Sequence, residues 1–472
     1  MTAKKELLYL QLAHSIEYQI ENNVLKTGDK LPSLRTIARE KGMSISTIQQ
    51  AYFELESRGL IESRPQSGYY VSYIPKNKQH LPSVSQPIMA RKGDKVVDII
   101  STVIQNFEKA EIYLSSASLG PEYVPIAKLN KSVIAATRSL KNSGVEYTKA
   151  GSLKLKTQIA KRCISWGGQL QSDDIIQTGG SIDSISFCLL SLTKRGDTIV
   201  VESPVYFGIL RLAQSMGLHV IELPTHPVTG IELDALKKVI EKRNVKLCIL
   251  IPNFSNPLGS CMPDENKKEV VRLMEKHNIP LVEDDLYADL YFGKHRPKSC
   301  KSYDESGIVL WCGSFSKTLA PGYRVGWVAP GKFKDQIEKT KLFHSMYSST
   351  ITHEAIGHFL EVGRYEDHLR KTRQILHRNS LQFLKCINEY FPDDTKVTRP
   401  EGGMNLWIEL GMRKDAIELY NKAISNKISI TPGRMYTLQN QYNNCLKLSY
   451  GMHWDEKTEH ALMVLGNILK SQ

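Results

Sequence analysis

The chain has 472 residues, more than one ordinary core holds, and its 41% hydrophobic and 24% charged residues describe a globular protein, not a disordered or fibrous one. Lys and Arg exceed Asp and Glu by 13, but the excess is spread along the chain, so charge alone makes no case for nucleic acid. The longest apolar runs, such as residues 247–251, fall far short of the ~20 residues a membrane span needs, the N-terminus has no signal-peptide core, and the scattered cysteines form no CxxC or Cys/His metal spacing. A cytoplasmic chain of two or three domains is predicted, with no metal, disulfide framework or membrane partner.

In chain order, Leu12, Ile16, Ile20 and Val24 recur every four residues, which predicts one face of an amphipathic helix, broken at Gly28-Asp29. Pro32-Ser33 opens a second helix with Ser33 as N-cap and Leu34, Ile37 and Ala38 inward, and Gly42 ends it. Ser44 caps a third, which turns Ile48, Ala51, Tyr52 and Leu55 inward and stops at Arg58-Gly59. Two short helices joined by a Gly-containing turn predict a helix-turn-helix. Ser46, Thr47 and Gln50 face outward there, as short polar groups suited to phosphates and base edges. Beyond Gly59, a strand, a turn at Pro65-Gln66-Ser67-Gly68 and a second strand predict a β-hairpin wing.

These stretches closely resemble the winged-helix domain of the GntR regulators. The resemblance rests on Gly28-Asp29-Lys30-Leu31-Pro32-Ser33-Leu34-Arg35, on Ser44 to Thr47 with Ala51-Tyr52 and Leu55, on Arg58-Gly59-Leu60-Ile61 and on Ser67-Gly68-Tyr69-Tyr70-Val71. It implies DNA contacts from Arg35, Ser46 and Thr47 and from the wing at Arg64, Ser67 and Gly68, and Ser44 and Gln50 are expected as further DNA contacts beside them. Residues 1–75 are thus read as a DNA-binding head. Residues 76–95, with prolines, Ser, Gln and Lys and no apolar periodicity, predict a linker spanning roughly 25 Å, enough for independent movement.

From residue 96 to 472, short apolar runs at residues 198–201, 247–251, 279–282 and 308–311 alternate with helical segments at 183–192, 207–216 and 264–277. That alternation predicts an α/β domain with a mostly parallel sheet. After the run at 308–311 comes Gly313-Ser314-Phe315-Ser316-Lys317, and Arg324 lies seven residues past the lysine. A lysine at the end of a buried strand can be desolvated and nucleophilic enough to form a Schiff base. Glu283, Asp284 and Asp285 end another apolar run, where acids point into a ligand crevice. Asn256 in Asn253-Phe254-Ser255-Asn256-Pro257 is either a turn residue or a donor to a ring oxygen.

Together these stretches resemble the fold-type I aminotransferases, which use pyridoxal 5'-phosphate. The resemblance implies Lys317 as the Schiff-base lysine, Asp284 on the pyridinium nitrogen, Asn256 and Tyr287 on the phenolic oxygen, and Tyr206 stacked on the ring. It puts the phosphate among Ser314, Arg324 and the backbone of Gly180, Ser181 and Ile182. Tyr147 matches the tyrosine that reaches a neighbouring subunit, which implies a homodimer. Two positions depart. The substrate-carboxylate arginine of the family is replaced by Lys447 in Leu446-Lys447-Leu448-Ser449, which loses the planar fork. Ile182 replaces the polar residue usual after the phosphate-binding serine, which leaves a backbone contact but no side-chain contact. Arg434 is an additional cation nearby in sequence that either compensates or lies at the surface.

A winged helix followed by such a domain resembles the MocR-type subfamily of GntR regulators. It implies a transcriptional regulator whose large domain senses pyridoxal phosphate, an amino compound or their adduct. The rival reading is an aminotransferase acting on an amino acid with a 2-oxo acid acceptor.

Overall fold

A computed structural model describes residues 8–21, 24–64, 67–72, 80–87, 99–148 and 150–471. The tip of the wing turn, Pro65-Gln66, and the greater part of the expected linker lie outside the described residues.

The head is three helices, α1 (Leu8–Glu21), α2 (Leu34–Lys41) and α3 (Ile45–Ser57), and a hairpin, β1 (Ile61–Arg64) against β2 (Gly68–Val71). Ser33 and Ser44 cap α2 and α3 as expected, accepting from the backbone N–H groups of Thr36 at 3.2 Å and Thr47 at 3.1 Å. Leu12, Ile16, Ile20, Ile37, Ile48, Ala51, Tyr52 and Leu55 form one core with Ile61 and Val71 of the hairpin. The Tyr52 hydroxyl donates to the carbonyl of Pro32 at 2.9 Å, tying α3 to the entry of α2. Val24 departs from the expected apolar face: α1 has ended by Glu21, and Val24 is exposed.

The large domain is built on an eight-stranded sheet. Five strands run parallel in the order Val309–Ser314, Leu281–Asp284, Val245–Leu250, Thr198–Ser203 and His219–His226. Gly326–Ala329 runs antiparallel beside the first of these, Ile176–Thr178 pairs antiparallel with that strand in turn, and Gly230–Ile231 closes the far edge. Cores of Ile, Val, Leu and Cys side chains lie on the two faces of the sheet. A smaller antiparallel sheet carries Lys396–Val397, Asn405–Glu409, Cys445–Ser449 and Thr431–Pro432, and the 27-residue helix Arg364–Tyr390 packs beside it.

Part of the expected linker is not free. The Ser83 backbone donates to Glu409 at 2.7 Å, and the Ser85 hydroxyl accepts from the backbone of Thr225 at 2.7 Å. Ser83 and Ser85 are therefore held on the large domain. No helix among the described residues is long and apolar enough to cross a membrane.

Candidate functional site

The carboxyl ends of the parallel strands, the usual ligand position in such a sheet, bring Asp284, Lys317, Arg324, Tyr206, Tyr287 and Asn256 within reach of one another. Strand alternation sorts the three acids at residues 283–285. Glu283 accepts from the backbone of Cys300 at 2.8 Å and Lys301 at 3.0 Å. Asp285 is ion-paired with Arg296 and accepts from Asn253 and Trp311 at 2.9 Å each. Asp284 points the other way. It is buried, and its Oδ1 has no hydrogen-bond partner among the described residues. Burial, reinforced by the like charge of Asp285, raises its pKa to about 7, while Lys317 pulls against that rise.

Burial lowers the Lys317 amine to about 8, with Arg324 adding to the shift and Asp284 opposing it. A lysine so placed is neutral often enough to act as a nucleophile. Tyr206 and Tyr287 feel the Asp284 charge as well, and burial pushes both phenols up. Asn256 donates to the Tyr287 hydroxyl at 3.4 Å, and its Oδ1, which is buried, lacks a partner among the described residues. Asn405, which no sequence motif singles out, is buried beside Tyr287, where its side chain opposes the rise of the phenol's pKa. Only the pairing of Asn405–Glu409 with Cys445–Ser449 brings it there.

The helix Ser181–Leu192 starts at Gly180, whose φ of 122° favours glycine. The first N–H groups of a helix are in general a ready anion site. The Arg324 guanidinium crosses this start, and Gly326 lets its strand approach closely: a Cβ on it would lie 2.6 Å from Cα of Gly180. The Ile182 side chain packs against the sheet core. Ser314 sits at the strand end, but its hydroxyl donates to Val325 at 2.9 Å and accepts from the Ser316 backbone at 3.1 Å. The hydroxyl that meets Arg324, at 3.4 Å, belongs to Ser316, a residue within the lysine motif to which the sequence assigns no role.

Lys447 is buried and donates to the carbonyl of Ser115 at 2.6 Å. Burial and then Lys317 lower its pKa to about 7, which places the two amines in one electrostatic environment. Arg434 lies on the turn Gly433–Tyr436, where it borders Ile99 and Leu210 and its charge acts on Glu222. Tyr147 is 77% exposed and its ring meets Tyr347 at 5.1 Å.

In the head, Arg35, Ser44, Ser46, Arg64, Ser67 and Gly68 are exposed, and Thr47 and Gln50 are half-buried beside them. Ser44 spends its hydroxyl on Ser46 and Thr47, at 2.8 Å each. In the wing, Tyr70 is the organiser: Arg64 lies over its ring at 4.3 Å and Ser67 meets its hydroxyl at 2.6 Å.

The geometry is that of a winged-helix DNA-binding head joined to an aminotransferase-like domain. Residues 8–71 match the family of bacterial regulatory proteins, gntR family, and residues 125–465 match aminotransferase class I and II. The chain is similar to the uncharacterized HTH-type transcriptional regulator YjiR of Escherichia coli (strain K12), 36% identical over 97% of this chain and 98% of that protein. It is also similar to the HTH-type transcriptional regulator NorG of Staphylococcus aureus (strain USA300), 27% identical over 93% of this chain and 99% of that one. Among solved structures, LysN of Thermus thermophilus, an alpha-aminoadipate aminotransferase complexed with N-(5'-phosphopyridoxyl)-L-leucine, aligns with a TM-score of 0.72 at 24% identity. That alignment covers 78% of this chain and 94% of LysN, and it shows the fold of the large domain. The chain belongs to the MocR-type HTH transcriptional regulators, in which a GntR head precedes a class I/II aminotransferase domain.

Proposed function

We propose that residues 1–75 bind an operator, that residues 96–472 hold pyridoxal 5'-phosphate at Lys317, and that the protein senses the cofactor or an amine reacting with it. The observation that carries this reading is Asp284, a buried acid with an oxygen lacking any partner among the described residues, beside a desolvated lysine. A buried acid left so costs stability unless a cationic or donor group arrives. A protonated pyridine nitrogen is such a group, and the unpartnered oxygen of Asn256 marks another donor-seeking position.

When bound, the cofactor supplies an aldehyde and an electron-withdrawing ring. The remaining work belongs to the chain. Lys317 offers a neutral amine, Asp284 keeps a proton at the ring nitrogen, and Tyr206 covers one face. Arg324, Ser316 and the N–H groups of Ser181 and Ile182 neutralise the phosphate. Lys447 offers one ammonium to a ligand carboxylate, without the two-pronged grip of an arginine.

A second copy of the chain is the proposed partner at Tyr147. Tyr147, Val145, Phe343 and Met346 are all more than half exposed, and the Tyr147–Tyr347 contact joins their two segments into one apolar surface. The reading is tested by adding pyridoxal phosphate to the cofactor-free protein. The wild type gains the visible absorbance of a lysine-bound cofactor and Lys317→Ala does not, with thermal unfolding of the head core unchanged. Equal absorbance in both contradicts it.

A further inference from the structure

A cleft of about 870 Å3 separates the head from the large domain, in the size range of small-molecule sites. One wall is the C-terminal half of α3 with β1, and the other is the helix Arg364–Tyr390 with the segments around Phe292 and Arg399. At its base His377 stacks between Phe53 of the head, 5.3 Å between ring centres, and Phe292 of the large domain, at 5.0 Å.

The walls are cationic. Arg58 and Arg64 face the cleft from the head, and Lys294, Arg378, Lys385 and Arg399 from the large domain. The two acids of the lining are already engaged: Glu62 pairs with Arg64 at 2.7 Å, and Glu56 accepts from the Ser63 backbone at 3.0 Å. Lys294, Arg378 and Lys385 are exposed and have no ion-pair partner among the described residues. Arg58 and Arg399 set like charges against each other across the head–body boundary, and the repulsion, after burial, lowers the Arg399 pKa. Arg58 is itself ion-paired with Glu17 and Glu54 at 2.8 Å each, so the lining cations without an ion-pair partner, Lys294, Arg378 and Lys385, are those of the large-domain wall. Closely spaced cations of this kind attract a multivalent counter-charge, and arginine forks are the groups best shaped for phosphate.

We propose that this cleft binds a small anion carrying several closely spaced phosphates, which staples the head to the large domain. The operator is a poorer occupant. Ser46 and Thr47 at the start of α3 lie at the opposite end of that helix from Glu56, about 14–15 Å away along the axis. DNA seated on Ser46 and Thr47 therefore leaves the large-domain wall at Lys294, Arg378, Lys385 and Arg399 open, and Arg64 is the one lining residue shared with the expected DNA-contacting set of the wing.

The test is a calorimetric titration of the full chain with inorganic tripolyphosphate at fixed ionic strength. The wild type binds one tripolyphosphate per cleft. The double variant Arg378→Glu/Lys385→Glu, at exposed positions, keeps its unfolding temperature and binds on the order of 100-fold more weakly, the loss of two charge-assisted contacts. Arg324→Ala, which disables the separate phosphate cradle, binds in the cleft as the wild type does. Absence of saturable binding overturns the proposal, as does equal affinity in the double variant or loss of binding in Arg324→Ala. So does a double variant that leaves tripolyphosphate binding intact while lowering the salt dependence of operator binding by about two ions, because the cleft then serves DNA.

Discussion

Arg324 occupies the space that a side chain at position 180 would need: a Cβ on Gly180 would lie 2.6 Å from Nη2 of the guanidinium. Glycine at this helix start thus serves the positive φ and the arginine together. Gly180→Ala is expected to keep the fold but push Arg324 off the helix N-terminus. Losing one charge-assisted phosphate contact corresponds to a drop in pyridoxal phosphate affinity of roughly 10- to 100-fold, read by titrating the visible absorbance.

The pKa of Asp284 in the folded chain, about 7, exceeds its ordinary value of 3.8, so the cofactor-free folded state binds more protons than the unfolded one between those values. Its contribution to stability is complete below pH ~4 and is lost as pH rises through ~7. Asp284→Asn removes that loss. The cofactor-free variant should be more stable than wild type at pH 8, by roughly 1–3 kcal/mol, and little different at pH 4, while binding pyridoxal phosphate more weakly. Denaturant midpoints at the two pH values check both signs. Glu202, raised by burial to about 8, leaves part of the pH dependence in place.

Lys447 governs carboxylate binding under the proposed reading. Its pKa of about 7 means that it is charged below neutrality and loses its charge above it. Preference for an α-amino acid over the matching simple amine should therefore fade as pH rises through 7. Lys447→Ala should weaken amino-acid binding by about 10-fold, the value of one charge-assisted bond, and leave simple amines unchanged. Spectral titration with the two ligand types distinguishes these outcomes.

In the head, Arg35→Ala should lower operator affinity and reduce the salt slope by about one ion while the cofactor absorbance stays unchanged. Ser44→Ala should cost about 1 kcal/mol of head stability through loss of the α3 cap and weaken operator binding indirectly. Gel shifts at several salt concentrations, paired with thermal unfolding, separate a contact from a cap.

Local signals carry most of this molecule. The two serine caps, the apolar faces of α2 and α3 and the helix Asp264–His277 lie where periodicity puts them, because each depends on neighbours a few residues away. Family resemblance singles out Asp284 from three adjacent acids, and strand alternation gives the physical reason. What stays hidden in the sequence depends on distant pairing. Gly326–Ala329 inserts antiparallel into the sheet, Asn405 reaches Tyr287 from another sheet, and Ser316 meets Arg324 while Ser314 is turned onto Val325. The residues at 80–87 read as linker because two serine contacts to Glu409 and Thr225 leave no periodic trace.

The most direct measurement is an operator-binding titration of the wild type and Lys317→Ala, with and without pyridoxal phosphate, following visible absorbance in the same samples. Both proteins should bind operator without cofactor, and pyridoxal phosphate should change the affinity of the wild type alone, in step with the absorbance. An operator affinity indifferent to the cofactor in the wild type, or shifted equally in Lys317→Ala, would contradict a head controlled through the lysine-bound cofactor.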